Sequence, residues 1–264
     1  DASSTPSLPI LQGDLRPDAP VSDLTTYRIG GRVRWLVQPT DRADLRRAIR
    51  WARAEGLRLV VLGAGSNLLF PDGTLDAAVV HTAAHLTHIE PLGDDRFRVD
   101  AGARNEGVTE WLASRGVCGL EFLYDVPGTL GGAAVMNASN NHGQSADVIE
   151  AVGYLDAGMN AAPSEARGDD LAFGYRTSAF GLGSERIIDS VVLHLPTRDE
   201  PAAIRARMGA IRDERWTKFP CEYGNCGSVF RRPPGDFAGR LIEAAGCKGL
   251  REGDAQVSPK HAGF

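Results

Sequence analysis

The stretch Pro127-Gly128-Thr129-Leu130-Gly131-Gly132-Ala133-Ala134-Val135-Met136-Asn137 decides the fold of this 264-residue chain. It places three glycines in a turn and continues directly into small and apolar residues. Glycine accepts positive φ and lets a ligand or a second backbone come close, and successive glycine amides can form an anion-binding nest. A helix that starts within the stretch would add its positive end to the site. This stretch, the second glycine loop, therefore predicts a phosphate site.

A first glycine loop lies earlier in the chain. Residues 58–62, Arg-Leu-Val-Val-Leu, are typical of a short buried strand, and Gly63-Ala64-Gly65-Ser66-Asn67-Leu68-Leu69-Phe70 follows at once. Leu68 stands where the nicotinamide Rossmann fingerprint needs a third glycine, and no Gly-Lys-Ser/Thr of a Walker loop follows. Each loop alone is also compatible with ordinary turn chemistry. The two together favour one long dinucleotide that spans both.

Composition narrows the class of protein. The net charge is −5 and no segment of several consecutive Lys or Arg residues occurs, so nucleic acid and anionic membranes are not expected as partners. No apolar run approaches the roughly 18 residues of a membrane span. Residues 1–21 are rich in Pro, Ser and Asp without a secretory pattern, which predicts a flexible leader. The cysteines are Cys118, Cys221, Cys226 and Cys247. Their spacing is looser than that of zinc ligands, which favours reduced thiols over a zinc site with His261, so no metal is expected.

Periodicity predicts mixed helices and strands. Residues 24–81 resemble a β-α-β module, with a helix over 41–55 whose face is Leu45, Ala48, Ile49 and Ala52. Further helices are predicted over 105–115, 200–216 and 236–245. Strands are predicted over 96–100, 153–156 and 187–195, besides 58–62.

Two polar clusters contain candidates for chemistry. Arg176 lies in Phe173-Gly174-Tyr175-Arg176-Thr177-Ser178 and could clamp a carboxylate; the alternative is a surface arginine beside a core tyrosine. Ser228 lies in Asn225-Cys226-Gly227-Ser228 and could donate a proton; the alternative is a turn serine, and the pattern is not a hydrolase nucleophile elbow. Lys218 and His261 could reach an anionic group, or could be a solvated lysine and a satisfied histidine.

The order of motifs resembles one family, the UDP-N-acetylenolpyruvoylglucosamine reductases, also called UDP-N-acetylmuramate dehydrogenases. The resemblance covers nearly everything after Asp23 and rests on six segments in order. These are residues 25–31 (Thr-Thr-Tyr-Arg-Ile-Gly-Gly), 63–70, 127–137, 174–176 (Gly-Tyr-Arg), 227–230 (Gly-Ser-Val-Phe) and 255–264 (Ala-Gln-Val-Ser-Pro-Lys-His-Ala-Gly-Phe).

The resemblance implies an α+β protein with an FAD-binding fold of the vanillyl-alcohol oxidase / p-cresol methylhydroxylase type. Two α/β flavin-binding subdomains, at 22–84 and 85–197, would precede an α+β substrate-binding domain at 198–264. It implies non-covalent FAD, NADPH as co-substrate, and reduction of the enolpyruvyl UDP-sugar to UDP-N-acetylmuramate for peptidoglycan. The implied protein is a cytoplasmic monomer without a nucleic-acid partner.

The resemblance also implies roles for residues. Ser228 would be the general acid and Arg176 would hold the substrate carboxylate. The implied substrate contacts are Tyr175, Arg176, Lys218, Asn225, Gly227, Ser228 and His261. The implied FAD contacts are Gly63, Ala64, Gly65, Ser66, Asn67, Leu68, Pro127, Gly128, Thr129, Gly131, Gly132 and Asn137.

The chain departs from the family pattern in four places. A catalytic glutamate usually follows the His-Ala-Gly-Phe segment, and this chain ends at Phe264. Residues 137–143 are one residue longer than the usual run, and Arg232-Pro233 replaces Asn-Pro. The region from Tyr175 to Lys218 is short, which predicts the subgroup without an extra substrate-covering loop. Two alternatives remain: another FAD oxidase or dehydrogenase on the same scaffold, and a truncated, inactive flavin-binding module.

Overall fold

A computed structural model describes residues 11–181 and 183–264. Its first sheet has the strand order β1-β2-β4-β3, in which β2, β4 and β3 are parallel. Asp41 caps the single helix of this layer by accepting a hydrogen bond from the Asp44 amide, and the predicted apolar face is buried. The predicted β-α-β module is therefore confirmed. Its elements are β1 (Asp14–Pro20), β2 (Arg32–Gln38), α1 (Arg42–Ala54), β3 (Leu59–Leu62) and β4 (Thr74–His81).

The predicted flexible leader is wrong for residues 14–20. This segment is strand β1, which pairs antiparallel with β2. Ala19 and Val21 are buried and Leu15 packs against the core. The burial of these apolar side chains holds the segment in place, although its prolines and charged residues are typical of a leader. Prolines are tolerated here because β1 is an edge strand. Residues 1–10 of the predicted leader lie outside the described residues.

The second sheet is antiparallel, with the order β10-β9-β11-β6-β5. Helices α2 and α3 contribute Val108, Leu112 and Leu130 to its core. The predicted strands at 96–100, 153–156 and 187–195 and the helix at 105–115 are confirmed in kind. The elements are β5 (Ile89–Gly93), β6 (Arg96–Asp100), α2 (Asn105–Ala113), α3 (Leu130–Val135), β7 (Ser139–Asn140), β8 (Gly143–Gln144), β9 (Ile149–Asp156), β10 (Ala162–Arg167) and β11 (Arg186–His194).

Helix α4 (Pro201–Lys218) is followed by a region with little regular structure. Helix α4 buries Ile204 and Met208 against Ala113 and Cys118, so it connects this region to the second sheet. The helices predicted over 200–216 and 236–245 are confirmed with slightly shifted ends. The elements are α4 (Pro201–Lys218), α5 (Ala238–Ala244), β12 (Arg251–Glu252) and β13 (Ala255–Gln256). Among the described residues, no helix has the length and apolarity to cross a bilayer.

Candidate active site

The two glycine loops lie side by side. The first begins where β3 ends at Leu62, and the second leads into α3, whose N-cap is Thr129. A Cβ added to Gly63 would lie 2.6 Å from the Thr129 hydroxyl oxygen, so only glycine lets the loops approach this closely. The structure thus brings together two motifs that lie more than 60 positions apart in the sequence.

The backbone amides of the two loops differ in availability. No amide from residue 63 to residue 68 donates a hydrogen bond within the described chain. In the second loop, the Gly131 amide donates to the Ala101 carbonyl at 2.9 Å and the Gly132 amide donates to the Thr129 hydroxyl at 3.3 Å. The first loop therefore keeps its amides available for an anion. In the second loop, the amides of Gly131 and Gly132 are used inside the protein, and Gly131 also packs closely against Ala101.

A buried histidine supports the end of the first sheet beside the first loop. His81 Nδ1 lies 3.1 Å from Gln38 Nε2, and both side chains are buried. Burial, together with the positive charge of Arg104, lowers the pKa of His81 to about 4, although the Gly63 backbone opposes this shift. A neutral imidazole is thus part of the loop's support.

The Arg176 turn is anchored on the segment that follows α3. The Asn137 side-chain amide donates to the Gly174 carbonyl at 3.1 Å, and the Ser178 hydroxyl donates to the Val135 carbonyl at 2.8 Å. Arg176 has a φ of 56° and donates to the Ser139 carbonyl at 3.1 Å and to its hydroxyl at 3.3 Å. No carboxylate among the described residues pairs with Arg176. Its guanidinium keeps donors for an anion.

The side chain of Asn137, a predicted flavin contact, forms hydrogen bonds inside the protein. It is buried, and its Oδ1 accepts from the Ala146 amide at 2.9 Å while its Nδ2 holds Gly174. Both ends of the side-chain amide are therefore used inside the protein. Asn137 positions the Arg176 turn, and it stays a predicted flavin contact only through its backbone.

Ser228 lies at a corner where two distant segments meet. The Gly227 amide donates to Asn225 Oδ1 at 3.0 Å, and Gly227 has a φ of +79° that glycine accepts readily. The Val229 amide donates to the Gly263 carbonyl at 3.0 Å. A Cβ at Gly263 would lie 3.7 Å from Ser228 Oγ and 3.1 Å from His261 Nδ1. The structure therefore brings Ser228, Asn225 and His261 together.

The His261 ring is held neutral in this corner. Burial lowers the pKa of His261, and its Nδ1 accepts from the Gly263 amide at 3.1 Å. The ring packs against Phe219 and Phe264, with centroid distances of 5.1 and 5.2 Å. Because Nδ1 acts as acceptor, Nε2 is the nitrogen that carries the proton.

Two contacts connect the Ser228 corner to the rest of the site. The Arg232 guanidinium lies 5.1 Å from the centre of the Tyr175 ring, next to Arg176, whose own guanidinium is 5.7 Å from that ring. The Thr26 hydroxyl donates to the Asn225 carbonyl at 2.6 Å, while the Thr26 amide donates to the Gly65 carbonyl of the first glycine loop at 3.2 Å. The candidate catalytic residues and the first loop thus belong to one connected region.

Lys218 is the predicted site residue with the least connection to this region. At the end of α4 its ammonium is 2.5 Å from Glu214, which also holds His142 at 2.8 Å. No hydrogen bond or ion pair among the described residues connects Lys218 to Arg176 or Ser228. The 137–143 run is therefore tied to α4 through His142 and Glu214.

Three supporting residues could not be identified from the sequence: Thr26, His81 and Asn105. Thr26 lies in a motif of the family resemblance, but nothing local shows that it contacts residue 225. His81 shows no metal spacing, and Asn105 resembles an ordinary first residue of a helix. Their roles come from partners that are remote in sequence, which no local pattern reports.

Comparisons with known proteins show which family this chain resembles in sequence. A family model described as an FAD binding domain matches residues 33–158, and one described as the UDP-N-acetylenolpyruvoylglucosamine reductase C-terminal domain matches residues 219–264. The UDP-N-acetylenolpyruvoylglucosamine reductase of Moorella thermoacetica is 40% identical over 93% of this chain and 79% of its own length. That of Synechococcus sp. (strain JA-3-3Ab) is 38% identical over 96% of this chain and 80% of its own length.

The chain is also similar to solved structures. The crystal structure of UDP-N-acetylenolpyruvylglucosamine reductase (MurB) from Thermus caldophilus has a TM-score of 0.78 and 32% identity, over 97% of this chain and 88% of that chain. The 6-hydroxy-D-nicotine oxidase of Arthrobacter nicotinovorans has a TM-score of 0.56 at 17% identity, over 74% and 44% of the two chains, and shares the fold alone. The predicted α+β fold, with FAD binding of the vanillyl-alcohol oxidase / p-cresol methylhydroxylase type, is confirmed.

The residues at the two loops fit the diphosphate of FAD. A diphosphate needs hydrogen-bond donors, and the first loop supplies six free amides together with the Ser66 hydroxyl. The glycines at 63 and 128 bring the second loop against the first, which closes one side of a cradle. Both loops lie within the residues that the FAD-binding family model matches.

Proposed function

This chain belongs to the family of UDP-N-acetylenolpyruvoylglucosamine reductases, and from this premise we propose that Ser228 and Arg176 carry its reaction. The protein is an FAD-dependent oxidoreductase, a UDP-N-acetylmuramate dehydrogenase of peptidoglycan synthesis, with NADPH as co-substrate and a UDP-sugar as substrate. Family membership favours this function over another oxidase of the same scaffold.

When bound, FAD would supply the chemistry of hydride transfer from NADPH to the enolpyruvyl double bond. The chain's own residues must hold the substrate and handle charge. Arg176 binds the substrate carboxylate through its free guanidinium donors and stabilises the negative charge that develops beside it. The anchoring of its turn by Asn137 and Ser178 orients the guanidinium before the substrate arrives.

Ser228 donates its hydroxyl proton to the substrate carbon next to the carboxylate. A serine hydroxyl is a weak acid, so it must be held against that carbon to act. The Gly227 turn, fixed by Asn225 Oδ1, and the bond from Val229 to Gly263 provide this support. The neutral His261 beside Gly263 adds a polar neighbour without adding a competing positive charge.

The remaining predicted contacts complete the proposal. We place Tyr175, Lys218, Asn225, Gly227 and His261 on the substrate side. Tyr175 is the most direct of these contacts, because its exposed ring has the Arg176 guanidinium at 5.7 Å and the Arg232 guanidinium at 5.1 Å from its centre. On the coenzyme side we assign residues 63–68 and 127–132. We further propose a cytoplasmic monomer without a nucleic-acid partner, in keeping with the net charge of −5.

The observation that carries this proposal is the contact of Arg232 with Tyr175, which joins the Ser228 segment to the Arg176 turn. The test is Ser228→Ala, studied as two half-reactions by stopped-flow flavin absorbance. We expect FAD reduction by NADPH at the wild-type rate, and loss of flavin reoxidation by the enolpyruvyl UDP-sugar of at least about 100-fold. The exposed Ser164→Ala serves as the matched control and should change neither step. Equal loss in both half-reactions of Ser228→Ala would contradict the assigned role.

A further inference from the structure

The side chain of Gln38 connects an arginine of strand β1 to the buried His81. Arg16 donates from Nη2 to Gln38 Oε1 at 2.5 Å, and Gln38 Nε2 lies 3.1 Å from His81 Nδ1. An arginine can only donate, so the end of the Gln38 amide that faces Arg16 must be the oxygen. The end that faces His81 is therefore the nitrogen, and Gln38 acts as a donor toward the imidazole.

This donor determines which nitrogen of His81 carries the proton. Burial, then the positive charges of Arg104 and Arg16, lower the pKa of His81, and the neighbouring His85 acts in the same direction. The ring is therefore neutral, and in a neutral imidazole one nitrogen accepts while the other donates. Nδ1 accepts from Gln38, so the proton lies on Nε2 and His81 has one donor left to give.

The acceptor for this proton is the carbonyl oxygen of Gly63. His81 is the last residue of β4 and pairs with Leu62, the last residue of β3, so it stands beside the start of the first glycine loop. A hydrogen bond to the Gly63 backbone raises the pKa of His81, and a backbone group has this effect only when it accepts a proton from the ring. On the backbone of Gly63 only the carbonyl oxygen can accept.

A hold on the Gly63 carbonyl also fixes the direction of the next amide. The Gly63 carbonyl and the Ala64 N–H belong to one planar peptide group, and in a trans peptide the two point in opposite directions. The Ala64 N–H therefore points away from His81. It donates to no residue that the structure describes, so it stays available to a ligand.

We propose that His81 is a positioning residue of the coenzyme site, at which the relay from Arg16 through Gln38 and His81 orients the Gly63–Ala64 peptide so that the Ala64 N–H donates to the FAD diphosphate. Glycine is the residue with the most conformational freedom, so this peptide needs an outside contact to hold it. An amide that is oriented before FAD arrives loses less entropy on binding. This inference rests on the proposed placement of the FAD diphosphate at the first glycine loop.

The position of the proton is the first test, read from the nitrogen-15 NMR signals of the FAD-bound protein at neutral pH. We expect His81 to show the neutral tautomer with its proton on Nε2. The signals are assigned by their loss in His81→Phe or, if that variant does not fold, by their shift in Gln38→Glu. A proton on Nδ1 alone, or a charged ring, would overturn the relay wherever FAD binds.

The variant Gln38→Glu reverses the direction of the relay. A carboxylate can only accept, so it holds a proton on Nδ1 of His81. At lower pH the ring then carries both protons and keeps its bond to Gly63, whereas at higher pH it gives up the proton on Nε2. The FAD affinity of Gln38→Glu should therefore fall about tenfold between about pH 6.5 and about pH 9, while that of the wild type stays constant. Parallel pH profiles in the two proteins would overturn the relay.

FAD affinities, measured by flavin fluorescence, separate the relay from the placement of the coenzyme. We expect His81→Phe, which keeps a ring without the donor, to weaken FAD binding about tenfold at neutral pH. Ser66→Ala removes a hydroxyl of the first loop without touching the relay, and it should also weaken binding. The exposed His194→Phe is the matched control and should bind FAD like the wild type. A loss in Ser66→Ala alone would overturn the relay and leave the placement, whereas wild-type affinity in both variants would overturn both.

Discussion

The hydroxyl of Thr26 donates a hydrogen bond to the carbonyl oxygen of Asn225 across a separation of 199 positions in the sequence. At 2.6 Å it is short, and the Thr26 amide holds the Gly65 carbonyl of the first glycine loop. Gly224 packs tightly on the same segment, where a Cβ would lie 2.9 Å from the Tyr27 carbonyl oxygen. One residue near the start of the chain thus connects the coenzyme loop to the turn that carries Ser228.

Removal of this hydroxyl tests the connection. We expect Thr26→Val, which keeps the branched shape, to lower kcat/KM for the enolpyruvyl UDP-sugar about tenfold, because the Ser228 turn loses its anchor. The free energy of unfolding should fall by about 1 kcal/mol. Thr26→Ser retains the hydroxyl and should keep the activity in steady-state assays. An unchanged kcat/KM in Thr26→Val would show that the turn is held without this bond.

Replacement of Arg176 tests its role toward the carboxylate. Arg176→Lys keeps the charge but loses the planar pair of donors, so kcat/KM for the UDP-sugar should fall by about 100-fold, or about 2.7 kcal/mol. NADPH reduction of FAD, followed by stopped flow, should be unaffected. Arg212→Lys, an exposed arginine paired with Asp213, is the control. Full activity in Arg176→Lys would show that a single positive charge suffices.

The buried His81 predicts a loss of stability in acid. Burial and, to a smaller extent, the positive charge of Arg104 lower the pKa of His81 to about 4, whereas this pKa is about 6.5 in the unfolded chain. Below pH 6.5 the unfolded chain binds a proton that the folded protein does not, so stability is complete above pH 6.5 and falls as the pH drops towards 4. The loss from this group is about 3 kcal/mol over that window.

Urea unfolding at pH 7.0 and pH 4.5 measures this effect. His81→Gln, which cannot be protonated, should show a smaller loss between the two pH values than the wild type. Because His81 lies beside Gly63, FAD affinity of the wild type should also decrease over this window. An identical pH dependence in both proteins would assign the acid sensitivity to other groups.

The close packing of α3 provides a matched pair of glycine substitutions. A Cβ at Gly131 would lie 2.8 Å from both the Cβ and the carbonyl oxygen of Ala101, whereas a Cβ at Gly107 in α2 would meet no neighbouring atom within 4 Å. We expect Gly131→Ala to lower the free energy of unfolding by about 1–3 kcal/mol and to weaken FAD binding, because α3 must shift. Gly107→Ala should be neutral or up to about 1 kcal/mol more stable. Thermal unfolding and flavin titrations compare the two variants. If Gly131→Ala is as stable as Gly107→Ala, α3 shifts without a cost in stability.

Part of the site was readable from local patterns. The helix at Arg42–Ala54 follows from its Asp41 cap and apolar spacing, and the glycine loops are visible because glycine clusters mark turns at strand and helix ends. Strand β1 was missed because its prolines and charges resemble a leader, while its stabilisation comes from burial against distant residues. Asn137 stays a predicted coenzyme contact, and only the structure shows that its side chain bonds Gly174 and Ala146.

The sequence by itself determined the elements, the two glycine loops and, through the order of its motifs, the family, because these depend on residue types at short spacing. Only the tertiary structure decided which donors and acceptors those residues keep free. The amides of residues 63–68 remain open, while those of Gly131 and Gly132 are used internally. A hydrogen bond depends on atoms within about 3 Å, and the partners here, such as Thr26 and Asn225, meet only after the chain has folded.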